Sequence, residues 1–445
     1  MRRFDRDLTE GKLTRNIWHL ALPLMVTSAM QDLFNIVDMI FVGRLGPAAI
    51  AAVSVSGILM GVVRMLAIGI STGTVAMVSR FIGQKDHAAA VNVMFHSVIL
   101  SLVGSVLIGV SGYYFAEPLL VALGAAEEVV PPGLAYLRIM CLGGLTIFFT
   151  MTLSAGLRGF GDAVTPMVAM GVASVLNILL DPLLIFGIGP FPRLGVAGSA
   201  AATVIARGVA TVMLLYSLLR MGRLRLTAVR FDTNMMGRVV RIGSFSALRM
   251  LGMNLSRIVL VRIVAVFGTM AVAAFGIGMR LRLFVLMPGM GFGDAAAVLV
   301  GQNLGASKPQ RAARSSWIAV AFFSCFISII GLAFLLFPQA IIGVFNTHPE
   351  VLSLGSRFLR IFALCFLFVD LSVVLGRALE GSGDTISPML ITGLSLVVVG
   401  LPLAWLFSRM WGTTGIWISI SATEALQGLI MALWFQAGYW KKRRI

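Results

Sequence analysis

Twelve apolar runs, at 16–43, 50–80, 92–116, 133–156, 164–188, 195–219, 236–265, 270–296, 314–337, 354–376, 385–409 and 413–436, leave this chain few ways to fold. Each has about 20 residues or more, enough to cross roughly 30 Å of hydrocarbon as a helix. Only helices and closed barrels satisfy their backbone groups in lipid, and the short alternating strands of a barrel are absent from the sequence. The expectation is an all-α integral membrane protein with twelve transmembrane helices. Charged residues make up 12% of the chain, against roughly 25% in soluble domains. Met1 to Arg15 is charged and the run after it is too long for a signal-peptide core, so no cleavable signal is expected.

The net charge of +17 does not imply a nucleic-acid partner, because Lys and Arg sit between the apolar runs and are not gathered on one domain. They set topology instead. The N-terminal tail (Arg2, Arg3, Arg6, Lys12, Arg15), the central stretch (Arg220, Arg223, Arg225, Arg230, Arg238, Arg241) and the tail from Lys441 to Arg444 outweigh Arg44, Arg138, Arg193, Arg357, Arg360 and Arg409 on the opposite side. Both termini are therefore expected in the cytoplasm. Cys141, Cys325 and Cys365 lie in apolar runs without metal-ligand spacing and read as small packing residues. His19, His87, His96 and His348 are scattered, and neither a His-Glu-x-x-His motif nor a P-loop occurs. Gly289-x-Gly291-x-Gly293-Asp294 lies inside an apolar run with no strand before it, so it is not a dinucleotide fingerprint. An enzyme is not expected.

The chain repeats itself. Leu157-Arg-Gly159-Phe-Gly161-Asp162-Ala-Val-Thr165-Pro166-Met167 matches Leu379-Glu-Gly381-Ser-Gly383-Asp384-Thr-Ile-Ser387-Pro388-Met389, each residue 222 positions later. Gly46 and Gly268, Ala51 and Ala273, and Gly83 and Gly305 keep the same offset. Two duplicated halves of one topology follow, a repeat plan of secondary transporters. They are expected as an N-terminal lobe of spans 1 to 6 (residues 1–220), a basic cytoplasmic linker (221–241) and a C-terminal lobe of spans 7 to 12 (242–445). The Gly-x-Gly-Asp-x-x-(Thr/Ser)-Pro motif itself reads as a turn, with Asp as cap and Pro at the first turn of the next helix.

Where the halves differ, the residue is not needed by the scaffold alone. Asp38, Asn177 and Asp181 have Leu260, Val399 and Leu403 as counterparts. Asn177 and Asp181 are four apart on the fifth run, Pro182 follows them, and Asn35 is three before Asp38 on the first run. Such neighbours share a helix face. Ionisable groups at membrane depth are costly and usually line ion or substrate paths, so a functional role is favoured over buried polar groups tied to structural hydrogen bonds or to an arginine such as Arg64 or Arg207. Pro23 makes the first helix a candidate bending element, or gives it a static kink.

Ala21-Leu-Pro23, Gln31 through Asp38, Val42-Gly43-Arg44-Leu45-Gly46, Asn177-Ile-Leu-Leu-Asp181-Pro182, Gly195-Val-Ala-Gly198 and Gly301-Gln302-Asn303-Leu304-Gly305-Ala306 together resemble the multidrug and toxic compound extrusion (MATE) transporters. The resemblance covers nearly the whole chain and is similar to the prokaryotic DinF-like branch. It implies two six-helix lobes, pseudo-symmetric around a central cavity, in a prokaryotic cytoplasmic (inner) membrane. Export of cationic or amphipathic organic compounds would be exchanged for H+ or Na+ by alternating access. The cation-coupling residues it implies are Asp38, Asp181, Asn177, Asn35 and Thr203, with Na+ as one occupant of Asp38, Asn177 and Asp181. Gln31, Asp32 and Phe34 would face the substrate cavity, and Asp370 would mark a second-lobe site. Two features depart from the family: the seventh-run glutamate of the NorM-like branch is replaced by Met253 or a neighbour, and Asp32 stands where a small or neutral residue is usual. No cofactor is implied; the partners would be small organic cations and membrane lipids, and the protein a monomer. Disfavouring full ionisation of a desolvated carboxylate pair gives the exchange its physical basis, since a proton or Na+ then competes with a cationic substrate. A flippase for a lipid-linked saccharide or another lipid is the alternative, kept open by Arg249, Arg257, Arg262, Arg280 and Arg282 in the seventh and eighth runs.

Overall fold

The apolar runs fold as helices, and no strand occurs among the described residues of the computed structural model, which are 7–224 and 231–443. Arg2, Arg3, Arg6, Arg225, Arg230 and Arg444, on which the expected orientation partly rests, lie outside them. In the first half of the chain the helices are α1 (Leu13–Gly43), α2 (Pro47–Gly83), α3 (His87–Ala122), α4 (Val130–Leu142), α5 (Gly144–Gly159), α6 (Val164–Phe186) and α7 (Val196–Arg220). The second half contributes α8 (Thr233–Ala265), α9 (Thr269–Gly305), α10 (Pro309–Leu336), α11 (Pro338–Gly343), α12 (Pro349–Ala363), α13 (Phe366–Gly381), α14 (Ile386–Gly393) and α15 (Leu401–Ala437).

Seven of these helices are long and apolar enough to span singly: α1, α2, α3, α6, α7, α9 and α10. The bent pairs α4–α5 (45°) and α12–α13 (60°) each make one broken span. Helix α8 is interrupted by Arg238, Arg241, Arg249, Arg257 and Arg262, which lowers its hydropathy but not its length of 33 residues. The continuous stretch Ile386–Ala437 has 52 residues, about 78 Å of helix, far more than one crossing needs. Gly412, at φ +61° and ψ −141°, breaks it, and the Cβ that Gly415 lacks would lie 2.0 Å from the Phe407 carbonyl oxygen. The chain therefore doubles back there into two spans, and twelve transmembrane helices result.

The helices form two compact units, one built on Val26–Ser244 and the other on Leu8–Met25 with Phe245–Ile445. Helices α1 and α8 are thus each divided between units. In the first unit the opening half of α8 meets α2 at bare backbone: a Cβ on Gly73 would lie 2.5 Å from the Val239 carbonyl oxygen, and one on Gly243 2.5 Å from that of Gly69. In the second unit the opening half of α1 meets α9 at Gly291, whose Cβ would lie 3.0 Å from the Ala21 carbonyl oxygen. Gly69 and Gly291 are 222 positions apart, so the duplicated contact uses duplicated glycines. Around Gly291, Trp18 stacks edge-on to Phe292 at 5.4 Å, and Lys308 Nζ donates to the Thr9 carbonyl (3.1 Å). Gly243→Ala is expected to cost roughly 1–3 kcal/mol by overpacking. Gly237→Ala on the same helix, where a Cβ meets nothing within 4 Å, is expected to be neutral or to gain up to about 1 kcal/mol of helix propensity. Thermal unfolding midpoints in detergent separate the two variants.

Both copies of the repeated motif are turns. Asp162 accepts from the Thr165 backbone N (3.0 Å) and its Oγ1 (2.7 Å), and Asp384 accepts from the Ser387 backbone N (3.3 Å) and Oγ (2.7 Å). The preceding Gly161 and Gly383 have φ of +92° and +87°, values that favour glycine.

Candidate functional site

Helix α1 carries Phe34, Asn35 and Asp38 on one wall of a cavity of about 210 Å³ in the first unit. Gly57, Met60 and Arg64 of α2, Tyr136 and Met140 of α4, and Thr203 and Arg207 of α7 also line it. Asp38 is buried and accepts a hydrogen bond from Ser199 Oγ of α7. Ser199, Thr203 and Arg207 follow one another at intervals of four, which puts them on one face of α7. All three are buried.

Helix α6 brings Asn177 and Asp181, both fully buried, within electrostatic reach of Asp38. Asn177 Nδ2 donates to Asp181 Oδ1 (3.2 Å). That single bond uses half of each side chain: Asp181 Oδ2 and Asn177 Oδ1 are buried with no hydrogen-bond partner. A buried oxygen in that condition is costly, and an oxygen-rich cluster of this kind suits a hard cation or a proton. No group of three or more His, Cys, Asp and Glu side chains suited to a metal ion occurs among the described residues, so any Na+ held here would rely on Asn and Thr oxygens as well.

Arg207 is buried with its guanidinium 5.7 Å from the centre of the Phe34 ring. It is attracted by Asp38 and repelled by Arg64, yet neither arginine makes an ion pair within 4 Å to a described carboxylate. Asp38 is therefore not tied to an arginine; its short-range partner is a serine.

The expected site residues thus fall into three groups. Phe34, Asn35, Asp38 and Thr203 share the cavity, and Asn177 and Asp181 form the adjoining buried pair. Gln31 is exposed and Asp32 half-buried, and neither lines the cavity. Pro23 is buried inside α1, two residues before the point where that helix passes from one unit to the other. Asp370 belongs to the second unit, on α13, where it is fully buried and accepts from Ser324 Oγ. Ser199 was not singled out by the sequence reading, and Arg207 entered it only as a counter-charge; the four-residue spacing from Thr203 is the signal that finds both.

The arginines of α8 and α9 divide likewise. Arg249 Nη1 donates to Glu380 Oε1 (2.8 Å) and Arg282 pairs with Glu424, whereas Arg257, Arg262 and Arg280 are exposed.

The MatE family profile matches residues 23–183 and again 246–406. An FAD transporter of Shewanella oneidensis is 30% identical over 95% of this chain and 94% of its own length. The protein named probable multidrug resistance protein NorM of Thermotoga maritima is 27% identical over 98% of this chain and 94% of its own. Among solved structures, a MOP superfamily transporter from Pyrococcus furiosus, described by a binding pocket of reverse polarity that suggests a different function, superposes with a TM-score of 0.90 at 25% identity, covering 98% of both chains. With its profile matched twice, across both halves of the repeat, the chain belongs to the MatE family, the multidrug and toxic compound extrusion transporters, and is not an enzyme.

Proposed function

We propose that this protein is a secondary antiporter of the prokaryotic cytoplasmic membrane that exports amphipathic organic compounds in exchange for H+ or Na+. The observation that carries the reading is the half-satisfied Asn177–Asp181 pair beside Asp38, where two buried oxygens lack partners. A proton or Na+ arriving there satisfies those oxygens and removes negative charge from the neighbouring cavity, which weakens its hold on a cationic substrate. Competition of this kind gives exchange when the two occupants favour opposite accessible states, and a bias of about 5.5 kcal/mol between states is enough to move the population from 1:99 to 99:1. Asn35 and Thr203, both at the cavity, are the proposed remaining oxygen donors. Multidrug resistance is what the Thermotoga relative's name states of that protein, and multidrug export comes to this chain as part of the proposal. Of the five arginines that kept lipid flipping open, Arg249 and Arg282 pair with Glu380 and Glu424, which leaves that alternative with less to hold a lipid-linked pyrophosphate.

The test is dye export from proteoliposomes under an imposed pH gradient or an imposed Na+ gradient, with a lipid-scrambling control. Export that follows one gradient and collapses with it is the expected result and names the ion. Export indifferent to both gradients, or scrambling without export, overturns the reading.

A further inference from the structure

We propose that Arg64 and Arg207 form an oxyanion subsite in the first-unit cavity, taking the carboxylate or phosphate of an aromatic, amphipathic ligand. This rests on the reading of that cavity as a ligand site, but it adds a ligand chemistry that cation export does not require.

Arg207 is 8% exposed, lines the cavity with Arg64, and has no described carboxylate within 4 Å. A guanidinium stays charged under all physiological conditions and presents a planar fork of donors suited to two oxygens of one acid group. None of its nitrogens is among the sealed, unpartnered atoms, so the fork is open to a ligand, and the stack on Phe34 at 5.7 Å covers its face but occupies none of its N–H groups. Asp38 attracts it while Ser199 donates to one oxygen of that carboxylate. The second arginine makes the feature a site: two like charges within reach of each other are held together most favourably by an anion between them. Phe34 and Tyr136, both in the lining, offer aromatic surfaces for a flat ring. The volume of about 210 Å³ is below the roughly 300–1,000 Å³ of a whole drug-sized site, so it suits the acid-bearing end of a larger molecule.

The sign of coupling follows. Asp38 and Asp181 together offset Arg64 and Arg207. Neutralising one carboxylate leaves the cavity net positive, which strengthens its hold on an oxyanion and weakens its hold on a cation.

Binding to purified protein in detergent tests the subsite with two ligand pairs, each an acid and its neutral form: flavin mononucleotide against riboflavin for the phosphate, and a fluoroquinolone against its methyl ester for the carboxylate. At least one acid is expected to bind about tenfold or more tightly than its neutral partner, the worth of a charged hydrogen bond, and which pair discriminates names the source. Arg207→Gln is expected to erase that preference, and Arg207→Lys to restore part of it. Asp38→Asn is expected to strengthen acid binding severalfold. Arg64→Gln, at an exposed position, gives the same reading should Arg207→Gln fail to fold. Equal affinity for acid and neutral forms in the wild type, or a preference that survives both arginine variants, overturns the subsite. Gradient-driven export that persists in that case leaves the antiport reading standing, whereas acid discrimination without gradient-driven export leaves only the subsite.

Discussion

Asp38→Asn is expected to lower gradient-driven dye export to the leak rate of empty liposomes, and Asp181→Asn to do the same, with neither variant losing membrane insertion or its thermal unfolding midpoint. The separation of activity from folding follows from the repeat: Leu260 and Leu403 occupy the counterpart positions of the second half, so this helical framework accepts an uncharged side chain at both places. Loss of activity follows from charge. Asn in place of Asp38 preserves a side-chain oxygen to accept from Ser199 and removes only the negative charge that a proton, Na+ or organic cation would share. Asp32→Asn, at a half-buried position outside the cavity lining, is expected to slow export by less than about tenfold, the loss of one steering charge. The measurement is efflux per inserted protein under the driving gradient. Wild-type export by well-inserted Asp38→Asn would remove this residue from the coupling mechanism and leave Asp181 to carry it alone.

Much of this arrangement is written in hydropathy and spacing, because a membrane segment declares itself by length. The duplicated Gly161 and Gly383 turns were equally legible, since glycine followed by Asp and then by Thr or Ser three residues on has a local physical cause. What escaped the sequence depends on neighbours distant in the chain. The exchange of half-helices shows only in the close approach of Gly69 to Gly243 and of Gly291 to Ala21, and a glycine in an apolar run does not say what it touches. Ser199 was overlooked because a serine in a membrane helix usually bonds back to its own backbone; its bond to Asp38 spans 161 positions. The arginines of α8 and α9 had no evident reason in the sequence, since Glu380 and Glu424, which answer Arg249 and Arg282, lie 131 and 142 positions away.

Those ion pairs carry the second large expected effect, this time on stability. Glu380 is buried on α13 and accepts from Arg249 (2.8 Å) and Ser246 (3.3 Å) of α8 through Oε1, and from Arg377 (2.7 Å) through Oε2. Arg377 in turn pairs with Asp294 of α9, so two carboxylates balance two guanidiniums across three helices of the second unit. Glu380→Gln removes one negative charge and leaves Arg249 and Arg377 facing a neutral amide. Breaking a buried pair from one side costs roughly 3–5 kcal/mol, whereas replacing both partners by apolar residues is often neutral. The first half already shows the apolar or neutral solution in part, with Thr27, Thr72 and Ala155 at the positions equivalent to Arg249, Asp294 and Arg377. The expected order of thermal midpoints in detergent is therefore wild type, close to the double variant Arg249→Leu with Glu380→Leu, which keeps the Arg377–Asp294 pair, and then Glu380→Gln well below both. A Glu380→Gln midpoint equal to that of the wild type would mean that these charges are screened by water entering between α8 and α13, and that the helices are held by their apolar contacts alone.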